Sequence, residues 1–240
     1  MIMVKKNDLL FLDEPYKINR KLAKIIFISP IIITAFIIFI FIIPSTRSFG
    51  FWLLDENNPI EILTFLVFFI GGIYGVVKAI KFSKVLGIGP TLFYLIFSFF
   101  LILIAMEEIA WGQWFFHFET PKDWQDINVQ GETTLHNISA IQGQNDTLRF
   151  IFGMGGLTGI LFRYYKVLPQ INVHFVLFSW FLIIACYAAL DIITDNIVID
   201  SGVLHAIYAI TEVIELLIAG SAFLYLLLNF RVLKMNPSNN

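Results

Sequence analysis

The chain has 240 residues, of which 58% are hydrophobic and only 14% are charged, and its formal net charge is −2. A soluble domain carries about 25% charged residues, so most of this chain is not built to be solvated by water. The small net charge gives no indication of a nucleic-acid partner. The single cysteine, Cys186, excludes a disulfide framework or a thiolate metal cluster within one chain.

Six apolar runs reach or approach the roughly 20 residues that a helix needs to cross a bilayer. They lie at 25–43, 60–77, 88–106, 147–162, 173–190 and 206–229. The first run is longer than the core of a signal peptide, about 7–15 residues, so we expect it to be retained as a helix. The sequence therefore predicts an all-α polytopic transmembrane bundle of about six helices over 25–230, flanked by cytoplasmic tails at 1–24 and 231–240.

Basic residues predict the orientation of this bundle. Thirteen of the 16 Lys and Arg residues lie in the two tails and in the loops after the second and fourth predicted helices. The positive-inside rule then predicts that both termini lie in the cytoplasm. We expect the protein to lie in the cell (inner) membrane. Fifteen of the 18 acidic residues fall on the opposite, extracytoplasmic side, and this asymmetry needs its own explanation.

Two predicted helices contain the spacing G-x-x-x-G, at Gly71/Gly75 and Gly155/Gly159. Small residues at this spacing let helix backbones approach closely within a membrane. We expect these glycines to pack tightly against neighbouring helices rather than to carry a function.

The third predicted helix ends in two adjacent carboxylates, Glu107 and Glu108, directly after its apolar run. Ionised groups near hydrocarbon are costly and usually face a bundle interior or a watery cavity. A continuous helix would place Glu107 on one face with Trp111 and Trp114. The alternative is an interfacial cap, with the tryptophans as an aromatic belt and both acids solvated. We predict the belt, and a catalytic acid/base role for at least one of the two glutamates.

The longest predicted loop, 107–146, is extracytoplasmic and contains Glu132 and His136. If this stretch is helical, residues four apart project from the same face. A carboxylate and an imidazole so placed can share a metal ion or work as an acid/base pair. The alternative is an ordinary hydrogen-bonded histidine. We predict Glu132 and His136 as metal ligands.

The fifth predicted helix ends with Tyr187, Asp191 and Asp195 spaced four residues apart, on one helical face. Acids in this position can simply end a helix in water. Because Asp191 lies one turn deeper than Asp195, we predict Asp191 as the catalytic candidate of the two.

The sixth predicted helix carries His205, Tyr208, Glu212 and Glu215 along one stripe. At 1.5 Å per residue, Glu212 lies about 10 Å and Glu215 about 15 Å from His205 along the axis, inside the apolar span. Intramembrane carboxylates are functional candidates by default, and the alternative is a structural ion pair, for which Arg149 is the available partner. We predict His205 and Glu212 as metal ligands and Glu215 as a catalytic group.

These candidates leave three functions open. The first is a metal-dependent hydrolase or transferase acting on a lipid or lipid-linked substrate at the outer leaflet. It would use one divalent cation, zinc or similar, with Glu108 acting on a metal-bound water and the aromatic segment 111–118 beside the acyl chains. The second is a proton- or ion-coupled transporter, although the two halves show no repeat. The third is a non-catalytic membrane sensor or assembly subunit.

Two stretches carry a resemblance: Glu107-Glu108-x-x-Trp111-Gly112-Gln113 and Gln130-Gly131-Glu132-x-x-Leu135-His136-Asn137. Together they resemble a signature of bacterial polytopic membrane proteins that have no assigned activity. A more distant similarity is to the ceramidase-like superfamily of intramembrane metal hydrolases, which use acids and histidines at the mouths of several helices. This chain departs from them because it lacks their His-x-x-x-His pair, so the comparison is an analogy.

Overall fold

The computed structural model describes residues 18–55, 57–126, 128, 133–135, 144–165, 167–194 and 201–235, and these residues are helical or lie in connecting turns. The longer helices are α1 (Arg20–Ile42), α2 (Arg47–Leu54), α3 (Pro59–Leu86), α4 (Ile88–Glu108), α5 (Asn145–Tyr164), α6 (Phe178–Thr194) and α7 (Ser201–Met235). Single helical turns lie between them at Pro44–Thr46, Ala110–Gly112, Gln113–Phe116, Lys122–Gln125 and Phe175–Leu177.

Within the described segments, five helices are long and apolar enough to cross a membrane: α1, α3, α4, α6 with the turn before it, and α7. They coincide with five of the six predicted spans, which confirms an all-α multi-pass bundle. The remaining predicted span, 147–162, does form a helix, α5. Its composition is not apolar enough for a span, because the helix contains three charged residues, Asp146, Arg149 and Arg163, and begins with a polar turn.

The helices pack in an order that places α7 at the centre. Helices α3 and α4 form an antiparallel hairpin joined at Gly87, whose φ of 76° lies in the region that favours glycine. Helix α7 packs against α3 and α6, helix α5 packs against α6, and α1 lies against α6 and α7. In the part of the chain that the structure describes, α4 and α5 do not pack extensively on each other.

Small residues allow the close approach of these helices. A Cβ atom on Gly75 would overlap the hydroxyl of Ser98 on α4, and one on Gly71 would lie 3.3 Å from Phe223 on α7. Gly159 is similarly enclosed by Val173. The prediction of tight packing was wrong for Gly155, which faces open space, because the contact face of α5 is turned away from it.

The C-terminal half of α7 is closed by aromatic side chains. The ring of Tyr225 meets that of Phe97 on α4 edge-on at 5.5 Å, and the ring of Tyr94 lies 4.7 Å from that of Phe230. Tyr225 Oη also donates a hydrogen bond of 2.7 Å to the carbonyl of Ile171. The N-terminal half of α7 is more open, and its residues 205–212 are all exposed or half-buried.

Candidate functional site

Helix α4 ends at Glu108, and the chain then turns through Ala110 and Trp111, whose φ angles are 44° and 56°. The predicted helix through Trp111 was therefore wrong, because this turn breaks the helical register. Trp111 Nε1 nevertheless donates a hydrogen bond of 2.6 Å to Glu107 Oε1. The other oxygen of Glu107 accepts a bond of 2.6 Å from the backbone N–H of Leu135. Glu107 thus fastens the loop that follows α4.

Gln113 fastens the same loop at a second point. Its Oε1 accepts a 2.9 Å bond from the backbone N–H of Thr133, and its Nε2 donates a 2.9 Å bond to Thr120 Oγ1. The two stretches that carry the sequence resemblance are therefore joined in space by Glu107 and Gln113. Glu132 and His136, the predicted metal ligands of this loop, lie outside the described residues.

Glu108 belongs to a cluster of acidic residues. Its carboxylate interacts electrostatically with those of Glu215, Glu212 and Glu61. All four residues are half-buried, so the cluster is neither fully solvated nor sealed in the core. The structure thus brings one of the two adjacent glutamates together with both glutamates of α7. Like charges repel one another, so such a cluster is stabilised either by protonation of some of its carboxyl groups or by a nearby positive charge.

Arg149 of α5 supplies one positive charge to the cluster. Its Nη2 donates a hydrogen bond of 2.6 Å to Glu215 Oε1, and its Nη1 donates to the carboxylate of Asp146. The side chains of Arg149 and Glu215 are only 14% and 24% exposed. Arg149 and Glu108 also interact electrostatically. The arginine therefore connects α5 to α7 through charge, although the two helices have few backbone contacts.

Asp191 lies on α6 beside this network. It is buried, with 2% of its surface exposed, and it interacts electrostatically with Arg149. One turn earlier on α6, Tyr187 Oη lies 2.8 Å from Thr211 Oγ1 and donates to the carbonyl of Ile207. Asp191 therefore sits where α6 is tied to α7, close to the level of the glutamates.

The predicted stripe on α7 divides into two parts. Glu212 and Glu215 join the acidic cluster, whereas the ring of His205 packs on that of Phe51 in α2, with centroids 4.6 Å apart. Tyr208 is 49% exposed. Among the described residues, no three His, Cys, Asp or Glu side chains are placed to hold a metal ion. The described geometry therefore gives no support to a metal centre.

Glu61 and Asp146 are members of the network that sequence reasoning did not select. Glu61 lies in the first turn of α3, where its carboxylate accepts a hydrogen bond from the backbone N–H of Asn57. An acid in a first helical turn is usual because it complements the helix dipole, so both residues look like ordinary helix starts. Their position on the same side as the other acids is the signal that could have identified them.

No known protein family, curated protein or solved structure matches this chain. The class of protein is therefore defined by the fold and the site alone. It is an all-α multi-pass membrane protein whose helices carry a half-buried acidic cluster, with one arginine, at one end of the bundle.

Proposed function

We propose that this protein is a membrane-embedded enzyme that acts on a lipid or lipid-linked substrate at the extracytoplasmic leaflet. The observation that carries the proposal is the electrostatic interaction of Glu108 with Glu212 and Glu215, three half-buried acidic residues on two helices. Neighbouring carboxylates in different surroundings hold their protons with different affinities. One can then donate a proton to the substrate while another accepts one.

The proposed topology has six crossings, with α5 as the fourth and both termini in the cytoplasm of the inner membrane. The basic residues support this orientation. The 20 residues of α5 extend about 30 Å, the thickness of the hydrocarbon core. Its charges stand near its two ends, at Asp146, Arg149 and Arg163. Alkaline phosphatase fused after residue 120 should be active and the same enzyme fused at residue 240 inactive, and the reverse result would refute this orientation.

Each charged group has a proposed role. Glu108 exchanges a proton with the substrate, Glu212 serves as a metal ligand, and Arg149 holds Glu215 in position. We include one divalent cation in the proposal, bound through Glu212 together with Glu132 and His136, which lie outside the described residues, because the described side chains alone form no group of three that could hold a metal. Carboxylate oxygens suit a hard cation such as Mg²⁺ or Mn²⁺, whereas an imidazole ligand such as that of His136 would favour zinc.

Access from one side favours an enzyme over a transporter. Counted from the middle of the apolar span His205–Lys234, Glu215 lies about 7 Å and Glu212 about 11 Å towards the acidic end. Beyond Glu215, α7 buries Leu217 and Ala222 completely, and the aromatic side chains close the remaining half. A carrier needs a polar route through both halves.

The test compares the lipids of cells that express the wild-type protein with those of cells that express Glu212→Gln or Glu108→Gln. Lipid extracts are measured by mass spectrometry. We expect the amount of at least one lipid class to differ between cells that express the wild-type protein and cells that express either variant. The matched control is Glu119→Gln, which neutralises an exposed acid of the loop and should behave as wild type.

Metal content of the purified proteins separates the alternatives. A stoichiometric divalent metal that is lost in Glu212→Gln but kept in Glu119→Gln supports the enzyme with its cation. Unchanged lipids, no bound metal and proton-coupled uptake in liposomes would replace the enzyme with a transporter. A bound cation without any lipid change would leave a sensor as the better description.

A further inference from the structure

A groove lies at the opposite end of the α3–α4 hairpin from Glu61 and Glu108, at the turn between the two helices. The groove, of about 380 Å³, opens on the outer face of the hairpin. Its walls are mainly apolar, with Ile88, Leu92 and Leu95 on α4, and the polar residues that also line it are Ser83, Lys84 and Thr91. Ile88 and Leu92 are 89% and 54% exposed, so this surface faces the membrane and its interface.

The charge of the hairpin is entirely positive around this groove. Between Glu61 and Glu107 the sequence contains Lys78, Lys81 and Lys84 and no acidic residue. The Nζ of Lys78 lies over the ring of Tyr74, 5.4 Å from its centroid, whereas Lys81 and Lys84 are exposed. Of these lysines, only Lys84 lines the groove. The side chain of Lys84 therefore places a positive charge beside an apolar groove on a surface that faces the membrane.

We propose that this groove binds an anionic phospholipid of the leaflet that faces the α3–α4 turn, with the lipid phosphate at Lys84 and part of an acyl chain against Leu92 and Leu95. A basic residue at the interface attracts anionic lipid, and apolar walls below it accommodate a chain. The volume is near the lower end for ligand pockets, which suits one end of a lipid rather than a whole molecule. The proposal rests on the membrane placement of α3 and α4 and is independent of the acidic cluster.

The test is native mass spectrometry of the purified full-length protein with two probes, dioleoyl-phosphatidylglycerol and dioleoyl-phosphatidylcholine. We expect the wild-type protein to bind the anionic lipid more tightly. Lys84→Gln should weaken that binding about five-fold, which corresponds to about 1 kcal/mol for one lysine near the lipid surface. The matched control, Lys81→Gln, removes an exposed lysine one turn away that does not line the groove, so it should weaken binding less than Lys84→Gln does.

Further variants separate a site from general attraction. Leu92→Trp narrows the groove without changing its charge and should reduce retention of the anionic lipid. Glu119→Gln, at an exposed acid of the loop after α4, should leave lipid binding unchanged. The lipid composition of cells tests the proposed enzyme separately, so failure of this proposal is distinguishable from failure of that one. Equal effects of Lys81→Gln and Lys84→Gln, or equal binding of the two lipids by the wild-type protein, would overturn the assignment.

Discussion

Replacement of Arg149 by glutamine should destabilise the bundle, because it leaves Glu215 in the acidic cluster without its positive partner. The pair is joined at 2.6 Å and its side chains are 14% and 24% exposed, so it is neither a surface pair nor a fully buried one. Surface pairs contribute about 0–1 kcal/mol, and breaking a buried pair costs about 3–5 kcal/mol. We therefore expect a loss of about 2 kcal/mol in the free energy of unfolding for Arg149→Gln.

The assay is reversible unfolding in mixed micelles, followed by far-UV circular dichroism, on a double-mutant cycle. Glu215→Gln alone should cost less, because Arg149 keeps its bond to Asp146. The double variant should be no less stable than Arg149→Gln, giving a coupling energy of about 1 kcal/mol. The control is Arg163→Gln on the same helix. The guanidinium of Arg163 donates a hydrogen bond of 3.1 Å to the neutral side chain of Asn172, so this variant removes an arginine outside the acidic cluster. Strictly additive effects in the cycle, or an unchanged Arg149→Gln protein, would refute the reasoning.

Two further predictions concern the packing of α5 and the loop after α4. Gly156→Ala should destabilise the protein by about 1–3 kcal/mol, since the added Cβ would overlap the ring of Phe181. Gly155→Ala, one residue earlier and facing open space, should be neutral or slightly stabilising. Thermal unfolding compares the stability of the two variants, and equal effects would count against the packing of α5 on α6. Glu107→Gln should speed proteolysis of the loop about ten-fold, because hydrogen bonds to a charged group contribute about 1.5–3 kcal/mol. Glu108→Gln should not alter the cleavage rate, and a similar increase in both variants would disprove the separate roles of the two acids.

Much of the fold could be predicted from the sequence because the bilayer imposes a simple constraint. A crossing helix must be apolar over a fixed length, so five spans were identified, although α3 continues to Leu86, beyond the predicted end at residue 77. Helix α5 is the exception in composition, because charges and glycines interrupt its apolar run. Packing partners of individual residues were harder to predict. The spacing Gly155/Gly159 predicts two packed glycines, but only the position of α6 decides which face of α5 is covered.

For the candidate site, the sequence by itself determined which residues were available, and the tertiary structure decided which of them meet. Helical spacing identified Glu212, Glu215 and Asp191 as unusual, since ionisable groups within apolar spans are costly. Spacing could not separate Glu107 from Glu108. Their roles diverge because α4 ends at Glu108 and is followed by a left-handed turn. Glu107 then bonds the loop beyond that turn, whereas Glu108 joins the acidic cluster. The pairing of Arg149 with Glu215 joins residues 66 positions apart, and only packing of α5 and α7 around α6 brings them into contact.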